Sequence, residues 1–430
     1  MYLLERLKKF LDKNFDNTKP VLLAMSGGPD SRCMFELLMS LKDSYRIDLH
    51  IAHVDHSLRK ESEDEAESLK EEMMKRNIPF HFKKLNLKNI SNIEGIFRLE
   101  RLKFFNSLFE KNGFQAIFIA HQKEDLAETV LKRVLEGANL YNMGSMQEVS
   151  FFENNKVFRP LLAISKKDIL NFLHINNIGY FIDKTNEDTK FLRANMRKNI
   201  LPLLQQTFKK KIIDNLIEIS KNSSELNNYL KNRLDKKIKE IKKNSLALYI
   251  DLSDLESLEI KFIVKHIANM EEINVSRDVL ENISNAIYNK KANHKVALKD
   301  LYFIADRGSF FIEWNKEFIF DEISLENEGT YEKGIFQIKI SREQLKGNKN
   351  HWSDFFNKSI SVLLPKKKFK LQISNEKKIK KIFERNKVPS FLRNKLPILC
   401  DDKSNVYDFL SNKNFEDDQS DILKVELFIK

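Results

Sequence analysis

Residues 20–35 read PVLLAMSGGPDSRCMF, and this stretch restricts the fold more than any other. The apolar run 21–25 has the length of a buried strand. A tight polar loop follows, made of Ser26, Gly27, Gly28, Pro29, Asp30 and Ser31. Cys33, Met34, Phe35, Leu37, Leu38 and Leu41 then recur at helical spacing. Strand, glycine-rich turn and helix together aim backbone N–H groups and a helix N-terminus at an anion. Gly27 and Gly28 allow close approach of backbone to a phosphate. Pro29 suits a first helical position, where no N–H donor is needed. The plain alternative is a strand-to-helix turn capped by Ser or Asp. No Gly-Lys-Ser/Thr follows, so the loop is not of the Walker A type.

The pattern around this loop is βαβ. A short amphipathic helix ends near Asn14. Strands are expected at 46–53, 79–85 and 116–120, and helices at 61–77, 93–111 and 123–136. Such alternation predicts an α/β fold with a parallel, Rossmann-like sheet over residues 1–207. Ligands then sit beyond the carboxyl ends of the strands, where the segments 26–31, 53–59 and 121–129 all fall. Residues 208–320 read as a mostly helical middle domain, with an apolar stripe of Leu216, Ile219, Leu226, Leu230, Leu234 and Ile238 and two short strands within 296–320. Residues 321–356 read as a connector, and 357–430 as a small α+β domain.

Charge points to a polyanionic partner. The 430 residues carry a net charge of +12, and the pI is about 9.2. Between positions 365 and 397 twelve basic and two acidic residues give +10, nearly the whole excess. Lys377, Lys378, Lys380, Lys381, Arg385 and Arg393 belong to this run, with Phe369, Phe383 and Phe391 interleaved. A solvated face is the bland reading; contact with a nucleic-acid backbone is the one favoured. Cys33 and Cys400 are the only cysteines, too few for a disulfide framework, a four-cysteine zinc site or a CxxC pair, which suits a reducing cytoplasm. The first ten residues do not form a signal peptide, and no stretch of about 18 apolar residues is present, so no membrane partner is expected.

Four further groups could carry chemistry. In AHVDHSLR, His53, Asp55 and His56 lack a firm third ligand, so a loop lining a nucleotide base is favoured over a metal site. Glu94, Arg98 and Arg101 share a helix face; the arginines suit a phosphate, and an i,i+4 ion pair is the alternative. His121 begins AHQKEDLAET, in which Asp125 falls in a first helical turn and could hold Mg²⁺ or a substrate ammonium; Asp125 and Glu128 could equally be capping residues. Arg193 and Arg197, at i,i+4 after the turn at 183–188, suit RNA phosphate or a surface ion pair.

The SGGxDS pattern resembles the PP-loop ATP pyrophosphatases, enzymes that cut ATP between its α and β phosphates. The ordered series SGGPDS, AHVDHSLR, NIEGIFRLER, AHQKEDLAET, RPLL and DKTNEDTKFLRANMRKNILP, with the basic KKIKKIFERNKVPSFLRNKLPIL, resembles the tRNA(Ile)-lysidine synthetase family. Gln122, Glu124 and Leu126 depart from that family's usual fourth motif. The resemblance implies a carbon–nitrogen ligase that uses ATP with Mg²⁺ to join L-lysine to carbon 2 of the wobble cytidine of tRNA(Ile) bearing CAU. It further implies Asp30, Arg98, Arg101 and Asp125 as catalytic residues. Ser26, Gly27, Gly28, Pro29, Asp30, Ser31, His53 and His121 would be nucleotide-binding, Asp30 and Asp125 metal-holding, and the basic residues named above tRNA-binding. Two alternatives stand beside it: another PP-loop tRNA-modifying enzyme such as a thiolase, which would need reactive cysteines, and a non-catalytic RNA-binding module. The oligomeric state stays open, a homodimer included.

Overall fold

A computed structural model describes residues 2–55, 61–85, 93–144, 146–152, 155–182, 192–314, 322–342, 350–356, 359–365, 368–374, 376–410 and 422–430, the side chains of 61, 93, 94, 98, 365 and 422 excepted. The chain divides into two compact units, Met1–Tyr229 and Leu230–Lys430.

In the first unit, α1 (Tyr2–Asn14) precedes β1 (Val21–Ala24), α2 (Pro29–Tyr45), β2 (Leu49–Asp55), α3 (Glu61–Lys75), β3 (Phe80–Lys84), α4 (Ile93–Asn112), β4 (Ala116–Ile119) and α5 (Lys123–Leu135). Then come β5 (Val149–Phe152), β6 (Asn155–Phe158), α6 (Lys166–Ile175), α7 (Leu192–Asn195), α8 (Leu201–Phe208) and α9 (Ile212–Ile238), within which the division falls. The strands form one sheet in the order β3-β2-β1-β4-β6-β5, parallel except for β5 at its edge. This is the predicted α/β fold.

Side chains alternate across the sheet, as the period of two requires. Val21, Leu23, Leu49, Ile51, Ala116 and Phe118 join the core under α1, α2 and α6. Leu22, Ala52, Ile117 and Val157 join Phe105, Leu108 and Phe109 of α4 on the other face. Because Ala24 pairs with both Ala52 and Ile119, the carboxyl ends of β1, β2 and β4 lie side by side. The residues that follow β1 and β4, 25–28 and 120–122, therefore leave the sheet on one edge. The second strand begins at Leu49, three residues later than expected, because Arg46 closes α2 in the left-handed conformation at φ 52°. The β5–β6 pair is not foreseen by the sequence pattern: each strand is only four residues long, and Asn155 and Lys156 break the apolar run.

In the second unit, α10 (Ser257–Met270) and α11 (Arg277–Tyr288) accompany an antiparallel sheet of β7 (Lys242–Lys243), β8 (Leu248–Asp251), β9 (His294–Leu298), β10 (Leu301–Asp306) and β11 (Ser309–Trp314). The middle region thus joins the expected helices to a five-stranded antiparallel sheet. Residues 323–341 form strands rather than a plain connector: β12 (Ile323–Leu325), β13 (Gly329–Lys333) and β14 (Phe336–Ser341). Phe336, Ile338 and Ile340 supply the alternation that buries β14. With β15 (Ile360–Pro365), β16 (Phe369–Gln372), β17 (Ile398–Asp401), β18 (Val406–Tyr407) and β19 (Ile422–Ile429), they build two four-stranded sheets. One core runs through this unit, from Tyr249 and Phe311 to Trp352, Phe356, Phe369 and Leu427. The basic helix α12 (Lys377–Arg385) sets Ile379 and Phe383 into that core and leaves Lys377, Lys378, Lys380, Lys381 and Arg385 exposed.

Candidate active site

The loop between β1 and α2 is built as its residues dictate. Gly27 has φ +81°, and a Cβ there would lie 2.4 Å from Cδ2 of Phe181, so a side chain is excluded on two counts. The N–H of Phe181 donates to the Gly27 carbonyl at 2.9 Å, tying the chain just before the 183–188 segment onto the loop. Gly28 is extended and caps α2, with Pro29 at the first helical position. The Ser31 hydroxyl donates to the Gly28 carbonyl at 3.0 Å and lies 3.2 Å from the Ser26 hydroxyl. Behind the loop, Arg32 binds both carboxylate oxygens of Glu72 at 2.5 and 2.7 Å, fixing α2 against α3.

His53 sits at the end of β2, buried, with Nδ1 2.7 Å from the Met25 carbonyl. A carbonyl only accepts, so Nδ1 carries the proton and Nε2 is the acceptor in the neutral ring. Burial pushes the imidazole below its usual 6.5, which keeps it neutral. His121, after β4, accepts at Nδ1 from Nε of Arg159 at 3.1 Å; Arg159 also donates to the Ser150 hydroxyl at 2.7 Å. The arginine of RPLL therefore orients this histidine.

Asp30 and Asp125 come from α2 and α5, whose N-termini lie at the ends of the neighbouring strands β1 and β4. Burial pushes the Asp30 carboxyl up; the Lys166 ammonium opposes this, Asp125 adds to it, and Arg197 opposes it. Asp125 accepts from the N–H of Gln122 at 3.0 Å, while the Gln122 side chain accepts from the N–H of Glu124 at 2.6 Å, a reciprocal cap. Two departures from the usual fourth motif thus keep a structural role: Gln122 caps α5, and Glu124 accepts the N–H of Lys166 at 2.9 Å.

Glu128, one turn on, is buried and held by Arg197, with Nε 2.7 Å from Oε1 and Nη2 3.1 Å from Oε2; Nη2 also reaches Asp125 at 3.1 Å. Burial pushes the Glu128 carboxyl up and the guanidinium holds it back. Arg197 lies in a π-helical turn, Met196–Ile200, which Met196 anchors in a core with Leu126, Ala127 and Val130 of α5. A π turn re-aims a side chain that a regular helix would place elsewhere. Arg197, for which the sequence allows an RNA contact or a surface ion pair, is paired here with Glu128 and Asp125. Arg193 stays exposed.

Lys166 escapes sequence reasoning. Its Nζ lies 2.6 Å from Oδ1 of Asp30. A signal exists: Ser165 and Asp168 mark a helix start, with the Ser165 hydroxyl capping the N–H of Asp168 at 3.1 Å, which puts Lys166 at the first helical position. Arg101 is exposed on α4. The side chains of Arg98 and Glu94 lie outside the described residues, as do His56, Arg59 and the 183–188 segment. Arg393 is drawn inward, donating to the Val388 carbonyl at 2.9 Å and to Glu384 at 3.1 Å.

No group of three or more metal-ligating side chains occurs among the described residues. Asp30 and Asp125, two carboxylates at the ends of neighbouring strands, nonetheless fit Mg²⁺, which takes one or two carboxylates and completes its shell with phosphate oxygens and water.

Residues 2–204 match the PP-loop domain family, and residues 362–419 match the TilS substrate C-terminal domain. A tRNA(Ile)-lysidine synthase of Protochlamydia amoebophila is 32% identical over 424 residues, 95% of this chain and 92% of that protein. The chain belongs to the tRNA(Ile)-lysidine synthase family. A second member, from Chlamydia caviae, is 31% identical over 72% of this chain and 98% of its own length, and one from Streptococcus pyogenes is 30% identical over 69% and 66%. Membership makes this chain an ATP-using ligase that modifies tRNA(Ile). The thiolase alternative is not favoured: Cys33 is fully buried, and burial pushes its thiol up to about 12, far from a nucleophilic thiolate. Among the described residues no helix is long and apolar enough to cross a membrane.

Proposed function

We propose that lysidine is made here in two chemical steps at the edge formed by β1, β2 and β4. Oxygen 2 of the wobble cytidine, in a tRNA(Ile) with a CAU anticodon, attacks the α-phosphorus of ATP, and pyrophosphate leaves. The ε-amine of free L-lysine then attacks carbon 2 and expels AMP. Isoleucine charging and AUA reading follow from the modified base. We assign the work to the cytoplasm.

The observation that carries this reading is the approach of Asp30, in the 26–31 loop, and Asp125, at the start of α5, at the ends of the neighbouring strands β1 and β4. The loop residues Ser26, Gly27, Gly28 and Ser31 cradle the phosphates with N–H and hydroxyl donors, Pro29, which has no N–H to give, shapes the loop at the start of α2, and His53 and His121 line the nucleotide. Asp30 and Asp125 would hold Mg²⁺, which when bound supplies charge neutralisation to the phosphates. Arg98 and Arg101 are assigned to the α-phosphate. The attacking lysine arrives as an ammonium of pKa about 10.4, so a carboxylate must bind it and take its proton; Asp125 is the residue proposed. Residues 1–207 serve as the catalytic domain. The middle region and the C-terminal module grip the tRNA, through Arg193 and through Lys377, Lys378, Lys380, Lys381 and Arg385 of α12. Arg197 and Arg393 are assigned to internal pairing instead.

The test is Asp30→Ala. It is expected to abolish tRNA-dependent release of AMP and pyrophosphate while the variant still retains tRNA on a filter. Retained release would remove Asp30 from the catalytic set.

A further inference from the structure

Lys166 has no part in the two steps proposed for lysidine formation, yet its ammonium contacts the loop that must hold the phosphates. Its N–H donates to Glu124 at 2.9 Å, and two residues earlier the Ile164 carbonyl accepts from the N–H of Lys123 at 2.9 Å, so the start of α6 is held against the start of α5. The side chain is not sealed, being 33% exposed, and the Asp30 carboxylate is 28% exposed. A lysine is a point charge on a flexible four-carbon stem, so the ammonium can swing while its Cα stays in place. Arg197, by contrast, is committed to Asp125 and Glu128 by three hydrogen bonds.

We propose that Lys166 is a phosphate-binding residue that parks on Asp30 in the nucleotide-free protein and transfers to the pyrophosphate half of ATP when the nucleotide enters. The exchange serves both partners. A polyphosphate carries several negative charges next to Asp30, and moving one cation from the carboxylate to the phosphate oxygens forms a charge-assisted hydrogen bond to the leaving group. The same movement releases the Asp30 carboxylate for a divalent cation. This rests on the reading of the 26–31 loop as the ATP phosphate cradle.

The experiment is calorimetric binding of inorganic pyrophosphate to the full-length protein in EDTA, so that metal binding by Asp30 plays no part. Lys166→Met is expected to weaken pyrophosphate binding about tenfold or more, the scale of one charge-assisted bond. Asp30→Asn is expected to strengthen it several-fold, because the ammonium is no longer held. Lys166→Arg is expected to bind closer to the unaltered protein than to Lys166→Met. A merely structural ion pair would move both single variants in the same direction. Equal affinities for Lys166→Met and the unaltered protein, with unchanged thermal unfolding, would overturn this proposal and leave the loop reading intact. Failure of the unaltered protein to bind either pyrophosphate or ATP would overturn both.

Discussion

The Arg197 guanidinium lies against the buried Glu128 carboxylate, with Nε 2.7 Å from Oε1 and Nη2 3.1 Å from Oε2. Glu128 is 2% exposed, so its charge depends on this partner. Arg197→Ala should therefore cost about 2–4 kcal/mol, at or below the usual penalty for stranding a buried charge because the arginine is itself half exposed. Glu128→Gln in that background should recover part of the loss. Urea unfolding of the two single variants and the double variant measures it. Equal and additive losses would mean that the two side chains act independently.

Gly27 offers a second test. Alanine there would combine a positive φ with a Cβ 2.4 Å from the Phe181 ring, whereas at Gly28 the nearest atom, the Ser26 hydroxyl oxygen, is 3.5 Å away. Gly27→Ala should lose about 1–3 kcal/mol of stability together with ATP binding, and Gly28→Ala much less of both. Phe181→Leu should relieve part of the Gly27→Ala defect. Thermal unfolding and ATP titration read the difference, and similar effects at both glycines would contradict the geometry.

These two cases show what is legible in the sequence. The 26–31 loop, the parallel sheet and the placement of Asp30 and Asp125 at strand ends follow from local patterns: an apolar run, paired glycines and a helical period. The roles of Arg197 and Lys166 do not, because their partners lie 69 and 136 residues away in the chain. Nothing local separates an arginine aimed at RNA from one aimed at a buried glutamate. The strands of 323–341 escape for a related reason. Ile323 and Leu325 pair with Leu371 and Phe369, and Ile338 pairs with Leu427, so the sheets are completed by distant segments.

The basic residues of the C-terminal module divide into two kinds. Lys377, Lys378, Lys380 and Lys381 are exposed, and reversing them to glutamate should weaken tRNA binding and flatten its salt dependence by about 0.7–0.9 in log–log slope for each phosphate no longer neutralised. Arg393→Ala should instead lower stability and leave the slope alone, since its side chain is 17% exposed and internally bonded. Filter binding across a salt series decides this; an unchanged slope in the lysine variants would make α12 a solvated face.

Acid should weaken the first unit through its histidines. Burial holds His50, His53 and His81 below the ordinary 6.5, and His50 adds to the effect on His81. The unfolded chain binds more protons below that value. Stability from these rings is therefore complete above it and is lost as pH falls through the lowered folded values, at no more than about 1.4 kcal/mol per pH unit for each ring. Asp30 and Glu128, shifted upward, contribute with the opposite sign. The measurement is thus the difference between the protein and a His50→Gln/His81→Gln variant between about pH 7.5 and 5.5, the window that brackets the ordinary imidazole value. The variant should lose less stability on acidification; an equal loss would contradict this account.

Lysidine formation by this protein is tested by transfer of radiolabelled L-lysine. Purified protein, ATP and Mg²⁺ are incubated with a tRNA(Ile) transcript bearing CAU, and label in acid-precipitable RNA is counted. ATP-dependent incorporation is expected, and it should be lost when the wobble cytidine is replaced by uridine. No incorporation into the CAU transcript by the folded, ATP-binding protein would contradict lysidine formation.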